Sequence, residues 1–178
     1  SDTTRHYVDL FWELIDEILN AVLFVLIGME VLLVTFTVNI FIAAAVAHLG
    51  GLDGVALCVG SILLKPAHAT TDADWRTTIA QNLDAAFFTT RAACTALRDG
   101  GGSLVLFSTT AARIGLANHE AIAAAKAGVS GLARAAAATY ASRNVRVNVV
   151  APGLVDTPLA ARLLGSEATR TASMALHP

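Results

Sequence analysis

From residue 38 onward, short apolar runs alternate with stretches of helical composition, and this alternation constrains the fold more than any other feature. IFIAAAVAHLGG reads as a helix ended by Gly50-Gly51. LDGVALCVGS follows as a short buried strand, Val55 to Val59. Asp72 to Asp74 can cap a helix that runs through Trp75 and Asn82 to about Leu97. Gly100-Gly101-Gly102 makes a turn into a second buried strand, SLVLFST. Glu120 to Tyr140 is an Ala-rich helix whose propensity alone accounts for its composition. NVRVNVVAPG is a third strand, closed by Pro152-Gly153. Apolar strands separated by helices predict a parallel sheet covered on both faces.

In such sheets ligands bind beyond the carboxyl ends of the strands. The polar residues just past those ends are Ser61, Ser108, Thr109, Thr110, Asp156 and Thr157. Periodicity therefore places a candidate site at one edge of the sheet.

The first 37 residues follow a different pattern. Leu10, Leu14, Ile18 and Ala21/Val22 recur at helical spacing with acids between them. From Ala21 to Val38 the only charge is Glu30, so the stretch could cross most of a ~30 Å hydrocarbon core. The chain is 55% hydrophobic and 15% charged, and the apolar excess sits between Ile18 and Val46. The expected division is a hydrophobic helical segment over 1–37 and an α/β domain over 38–178, with membrane contact through 18–46. The chain begins with Ser1, as a trimmed tag or an excised fragment would. Asp9, Glu13, Asp16 and Glu17 precede the apolar run, where a secretory signal carries positive charge. Glu30 is either an intramembrane carboxylate with a function or an acid near a helix end facing water, and the second is the plainer reading.

Composition excludes other classes. A net charge of −2 and the lack of any basic run give no footprint for nucleic acid. Cys58 and Cys94 have no metal-ligand spacing and read as two buried, reduced thiols, so no metal is expected.

Two resemblances sharpen this picture. FWELIDEILNAVLFVLIGMEVL, Phe11 to Leu32 within a stretch of about 8–36, resembles a transmembrane segment of bacterial sodium–proton antiporters. A single such helix lacks the acidic residues of its companions, so transport by this chain alone is not expected.

Residues from about Ala43 to Pro178 resemble the short-chain dehydrogenase/reductase family through five pieces in the family's order. LDGVALCVG is similar to the strand carrying the NNAG motif, with Gly60 as the retained glycine. TTDADWRTTIAQNLDAAF places the family's asparagine at Asn82. GGSLVLFSTTAA corresponds to the strand ending at the substrate-binding hydroxyl. Spacing favours Thr109 for that hydroxyl, with Ser108 just before it. HEAIAAAKAGVSGLARAAA is similar to the YxxxK helix, with Lys126 as the lysine. RVNVVAPGLVDTPL resembles the PGxxxT segment, which puts Pro152, Gly153, Val155 and Thr157 at the nicotinamide.

The resemblance implies an α/β fold: a partial Rossmann-like parallel sheet with flanking helices, here preceded by a long hydrophobic N-terminal helix. It implies NAD or NADP as cofactor, a small carbonyl or alcohol substrate and a cytoplasmic location, and it admits a homo-oligomer. In the family, tyrosine moves the hydroxyl proton, lysine lowers that tyrosine's pKa and holds the ribose, and serine or threonine binds the substrate oxygen.

Two parts depart from the pattern. The tyrosine position is Ile122, which cannot transfer a proton. His119 and Glu120 are close in sequence, but at a helix start they read first as a cap and a solvated acid. Tyr140 lies five turns down the same helix, out of reach. The TGxxxGxG phosphate turn also has no match: Gly28 stands alone, and Gly50, Gly51 and Gly54 have the wrong spacing. The Val55–Val59 strand is thereby left with an open edge, where Val31–Val38 could pair if it does not continue the apolar helix. The expected function is a weak or inactive NAD(P)-dependent oxidoreductase domain. The alternatives are a membrane-associated antiporter fragment and a fusion chain with no activity of its own.

Overall fold

Three short strands lie side by side in the computed structural model, which describes residues 40–155 with Thr157, Ala160, Glu167, Arg170 and Thr171. They are β1 (Gly54–Leu57), β2 (Gly102–Phe107) and β3 (Val145–Val150). Their order is β1-β2-β3 and both pairings are parallel. The helices are α1 (40–49), α2 (Asp72–Ile79), α3 (Ala85–Leu97), α4 (Ala111–Ile114) and α5 (Glu120–Tyr140). Residues 1–37 form a separate unit. The expected long N-terminal helix, its antiporter resemblance and the pairing of Val31–Val38 all lie outside the described residues. Among the described residues no helix is long and apolar enough to cross a membrane.

Register explains the core. Val55 lies opposite Leu104, and Leu104 opposite Val147. Residues level with one another in parallel strands share a face, so Val55, Leu57, Leu104, Leu106, Val145 and Val147 point one way. Helices α3 and α5 touch each other and pack on that face. Their small residues permit close approach: Ala86, Ala93, Ala133 and Ala136 join Leu97, Leu104, Leu106 and Val129 in the core. The alanines of α5 thus serve packing as well as propensity.

The other face departs from expectation. Arg146, Asn148 and Val150 of β3 are exposed, and Ser103, Val105 and Phe107 of β2 are half-buried. Helices cover one face among the described residues, not two. Strands taken in sequence order place both connecting helices on the same side, and the alternation of VRVNVV is that of a half-solvated strand.

β1 is shorter than Val55–Val59 and pairs only with β2 among the described residues. Its neighbours Cys58 and Val59 are exposed, which corrects the reading of Cys58 as buried; Cys94 is buried as expected. An edge strand with one partner shields less of its length. Helix α1 ends as anticipated, with Gly50 at φ +77° and its N–H donating to Val46 O at 3.0 Å.

The N-cap of α2 is Thr71, and of the expected Asp72–Asp74 stretch Asp74 completes the capping box. Thr71 Oγ1 accepts from Asp74 N at 3.1 Å, and Asp74 Oδ2 accepts from Thr71 N at 3.1 Å. Lys65 Nζ reaches the same carboxylate at 2.6 Å. The Lys65 ammonium, then the Thr71 N–H and hydroxyl, hold the Asp74 carboxyl at about 2, down from 3.8. A depressed folded pKa stabilises the fold above the unfolded value and loses that effect as pH falls through the folded one. Between pH 4 and 2, Asp74→Asn should therefore lose less melting temperature than the parent chain. Equal losses would show that Asp74 does not control this acid limb.

Thr89 of α3 is buried, and its hydroxyl has no hydrogen-bond partner among the described residues. Thr89→Val keeps the shape and removes the unpaired group, so stability in urea should rise by about 1 kcal/mol. A loss of stability would point to a partner for that hydroxyl.

Candidate functional site

The carboxyl ends of the strands converge through one lysine. Lys126 sits on the second turn of α5, and its Nζ donates to Phe107 O, the last carbonyl of β2, at 3.1 Å. Burial pushes the Lys126 ammonium below the ordinary lysine range. Beyond β1, the chain passes through Gly60. A Cβ there would stand 3.0 Å from Asn82 Oδ1 and 3.2 Å from Lys126 Nζ. The absent side chain thus lets the backbone come close to an amide oxygen and an amine.

Asn82 is delivered by a local irregularity. The helix that begins at α2 loosens into a π-helical turn, Ala80–Asp84, before resuming as α3. Such turns arise where a side chain is aimed at a site. Asn82 is buried and fully engaged: Nδ2 donates to Thr78 O and Ser61 Oγ, both at 3.0 Å, and Oδ1 accepts from Ser61 N at 3.2 Å. Its side chain clamps the loop after β1 to the helix.

The two hydroxyls at the end of β2 separate. Ser108 is buried, donates to Lys126 O at 2.8 Å and accepts from Ser130 Oγ at 2.9 Å. It fastens β2 to α5. Thr109 is half-buried and its Oγ1 accepts a long bond from Ala111 N at 3.3 Å, which leaves its own proton uncommitted among the described residues. At the end of β3, Pro152 O accepts from Thr110 N at 3.1 Å, and Ser108 N donates to Val150 O at 2.8 Å. The Pro152-Gly153 segment is thereby held beside Thr109. Val155 and Thr157 are exposed, Thr157 Oγ1 donating to Val155 O at 3.4 Å. Asp156 lies outside the described residues.

Ile122 is 4% exposed, one turn before Lys126 on α5, so it serves as a core side chain. His119 makes no side-chain cap bond; its Nδ1 pairs with Ala117 O at 2.7 Å. Glu120 is exposed as expected, but it also accepts from Ala67 N at 3.3 Å and so ties the loop before α2 to α5. Sequence reasoning did not foresee Ser130 as a partner of Ser108 or Ser61 as a partner of Asn82. The signal for Ser130 was its spacing of four from Lys126, which puts both on one face of α5.

A family described as enoyl-(acyl carrier protein) reductase matches residues 35–178. The chain belongs to the short-chain dehydrogenase/reductase family. It is 39% identical over 123 residues to a trans-4-hydroxycyclohexanecarboxylate dehydrogenase of Sinomonas cyclohexanicum, covering 68% of this chain and 47% of that protein. A cis-4-hydroxycyclohexanecarboxylate dehydrogenase of the same organism is 40% identical over 121 residues, covering 67% and 49%. The chain thus spans about half the length of these curated relatives. The crystal structure of a short-chain dehydrogenase/reductase from Burkholderia xenovorans superposes with a TM-score of 0.76 at 30% identity, covering 81% of this chain and 57% of that one. An NADPH-bound ElxO variant shares the fold at 24% identity and a TM-score of 0.75.

Proposed function

We propose that residues 38–178 form the nicotinamide-side half of a dinucleotide-dependent oxidoreductase site for a small alcohol or carbonyl compound. We further propose that this half works weakly or not at all within this chain. The observation that carries the reading is the meeting of Lys126 Nζ, Asn82 Oδ1 and the Gly60 backbone beyond the carboxyl end of β1. A Cβ at Gly60 would crowd both polar groups, so the glycine suits the close backbone approach expected at the ribose end of a nicotinamide cofactor. The pyrophosphate end has no counterpart among the described residues, where no strand precedes β1.

In this reading Lys126 donates to the nicotinamide ribose, and the 152–155 backbone with Thr157 takes the carboxamide. Thr109 donates to the substrate oxygen. Ser108 and Asn82 position rather than touch, because their polar atoms are spent on Lys126 O, Ser61 and Thr78 O. The cofactor, NAD or NADP, supplies the hydride acceptor or donor. Secondary ring alcohols are the first substrates to try, since relatives include the hydroxycyclohexanecarboxylate enzymes and a cyclohexanol dehydrogenase of Acinetobacter, 40% identical over 105 residues. A homo-oligomer and a cytoplasmic location accompany this reading.

Titration with NAD(H) and NADP(H) to millimolar concentration should raise the melting temperature, and Lys126→Met should remove that rise. No shift with any of the four would sink the reading. Ile122→Tyr places a phenol one turn from Lys126 but overpacks the core, at a cost of about 1–3 kcal/mol. It should restore no turnover without a phosphate-binding turn. Robust turnover in that variant would mean that residues before β1 bind the pyrophosphate.

A second reading draws on the junction. Composition changes near residue 37, the family match begins at residue 35, and the chain divides between Thr37 and Val38. These support a fusion of two unlike pieces with no joint activity. Genomic sequence running unbroken through the codons for residues 30–45 would favour a natural fusion, and a break there an artefact. If the first piece anchors the chain in a membrane, expression without detergent should leave it in the pellet.

A further inference from the structure

Helix α3 buries one stripe and leaves another bare. Ala86, Ala93 and Leu97 enter the core. On the other side Phe87 is 48% exposed and Arg91 is exposed, while Phe88 and Asp84, the residue before α3, are half-buried. The Phe87 and Phe88 rings meet edge to face with centroids 5.8 Å apart. The Arg91 guanidinium lies 5.9 Å from the first ring centroid and 5.2 Å from the second. Neither Asp84 nor Arg91 has an ion-pair partner among the described residues. A lone exposed phenylalanine requires no explanation, but an aromatic pair bracketed by opposite charges does.

The bracket is self-complementary. Asp84 stands three residues before Phe87, and Arg91 three residues after Phe88. A two-fold axis through the midpoint of the Phe87-Phe88 pair runs a second α3 antiparallel to the first. Asp84 of each copy then lies level with Arg91 of the other, and Phe87 level with Phe88. Residues three, four and seven apart share one helix face, so all four enter the contact together. A parallel pairing would instead set Asp84 against Asp84 and Arg91 against Arg91, which disfavours it.

We propose that two copies of this chain associate through this face of α3, as an antiparallel two-fold pair held by the Phe87 and Phe88 rings and two Asp84–Arg91 ion pairs. Burying the rings supplies the drive, and the ion pairs set the register. The contact gives the homo-oligomer a surface. It needs no nicotinamide, so its failure and that of the oxidoreductase reading are separate results.

The test is charge exchange in the full chain. Sedimentation should show a dimer for the parent. Asp84→Arg sets cation against cation, and Arg91→Glu sets acid against acid. Each alone should weaken the dimer at least about tenfold with an unchanged circular dichroism spectrum. Mixed one to one, with one variant carrying nitrogen-15, the two should form a heterodimer in native mass spectrometry, because every new charge then meets its opposite. The double variant Asp84→Arg/Arg91→Glu should pair with itself again. A monomeric parent would overturn the proposal and leave this face to a different protein. A dimer that either single variant leaves intact would overturn it too, as would folded single variants that do not recombine.

Discussion

Gly102→Ala should cost about 3 kcal/mol or more and abolish the cooperative urea transition of residues 38–178. Gly102 opens β2 with φ +150°, a conformation that side chains of L-residues rarely adopt. A Cβ there would meet Leu97 Cδ2 at 2.7 Å and Asp53 O at 2.8 Å. The first contact belongs to a fully buried core side chain, and the second is backbone that accepts from Ser103 N at 3.0 Å. Neither can retreat without breaking the β1–β2 pairing or the α3 contact with the sheet. Gly100→Ala is the control: nothing lies within 4 Å of its Cβ position, so the change should stay within about 0.5 kcal/mol. Matching denaturation curves for the two variants would refute this account of the turn.

Asn82→Ala should lose roughly 2–3 kcal/mol and free the loop after β1. The amide makes three hydrogen bonds across two segments, and its removal leaves Ser61 N and Thr78 O without their partner. Hydrogen exchange at the Ser61 amide should accelerate along with the fall in stability. Retained protection at Ser61 would show that the loop is held by something other than this amide.

Much of the domain was legible because its signals are local. The helix Glu120–Tyr140 has its expected bounds, and the two longer strands lie where apolar, β-branched runs placed them. Lys126 and Asn82 were singled out by the resemblance of their segments to the family's motifs, whereas periodicity alone pointed to the hydroxyls past the strand ends. Spacing favoured Thr109 over Ser108 but gave no physical reason for the choice. Their difference lies in the hydroxyl of Ser130, twenty-two residues from Ser108, which engages Ser108 and leaves Thr109 uncommitted. Cys58 was misjudged for a related reason. Its apolar neighbours suggest burial, but it follows a strand with a single partner among the described residues.

Sequence alone therefore determined which segments are strands and helices, the parallel class of the sheet, and the residue types at its carboxyl edge. These follow from periodicity, propensity and the few residues between elements, all short-range. Tertiary structure decided what the motif residues do. It put Ile122 in the core and spent Ser108 and Asn82 on holding loops. It also left Lys126 half-buried against a backbone that only glycine lets approach so closely. The family lysine at 126 was readable from four alanines and a glycine around it. That it lacks a carboxylate partner among the described residues, unlike Lys65, depends on strands and helices meeting from positions far apart in the chain. No local pattern encodes such a meeting, because desolvation is a property of the packed whole.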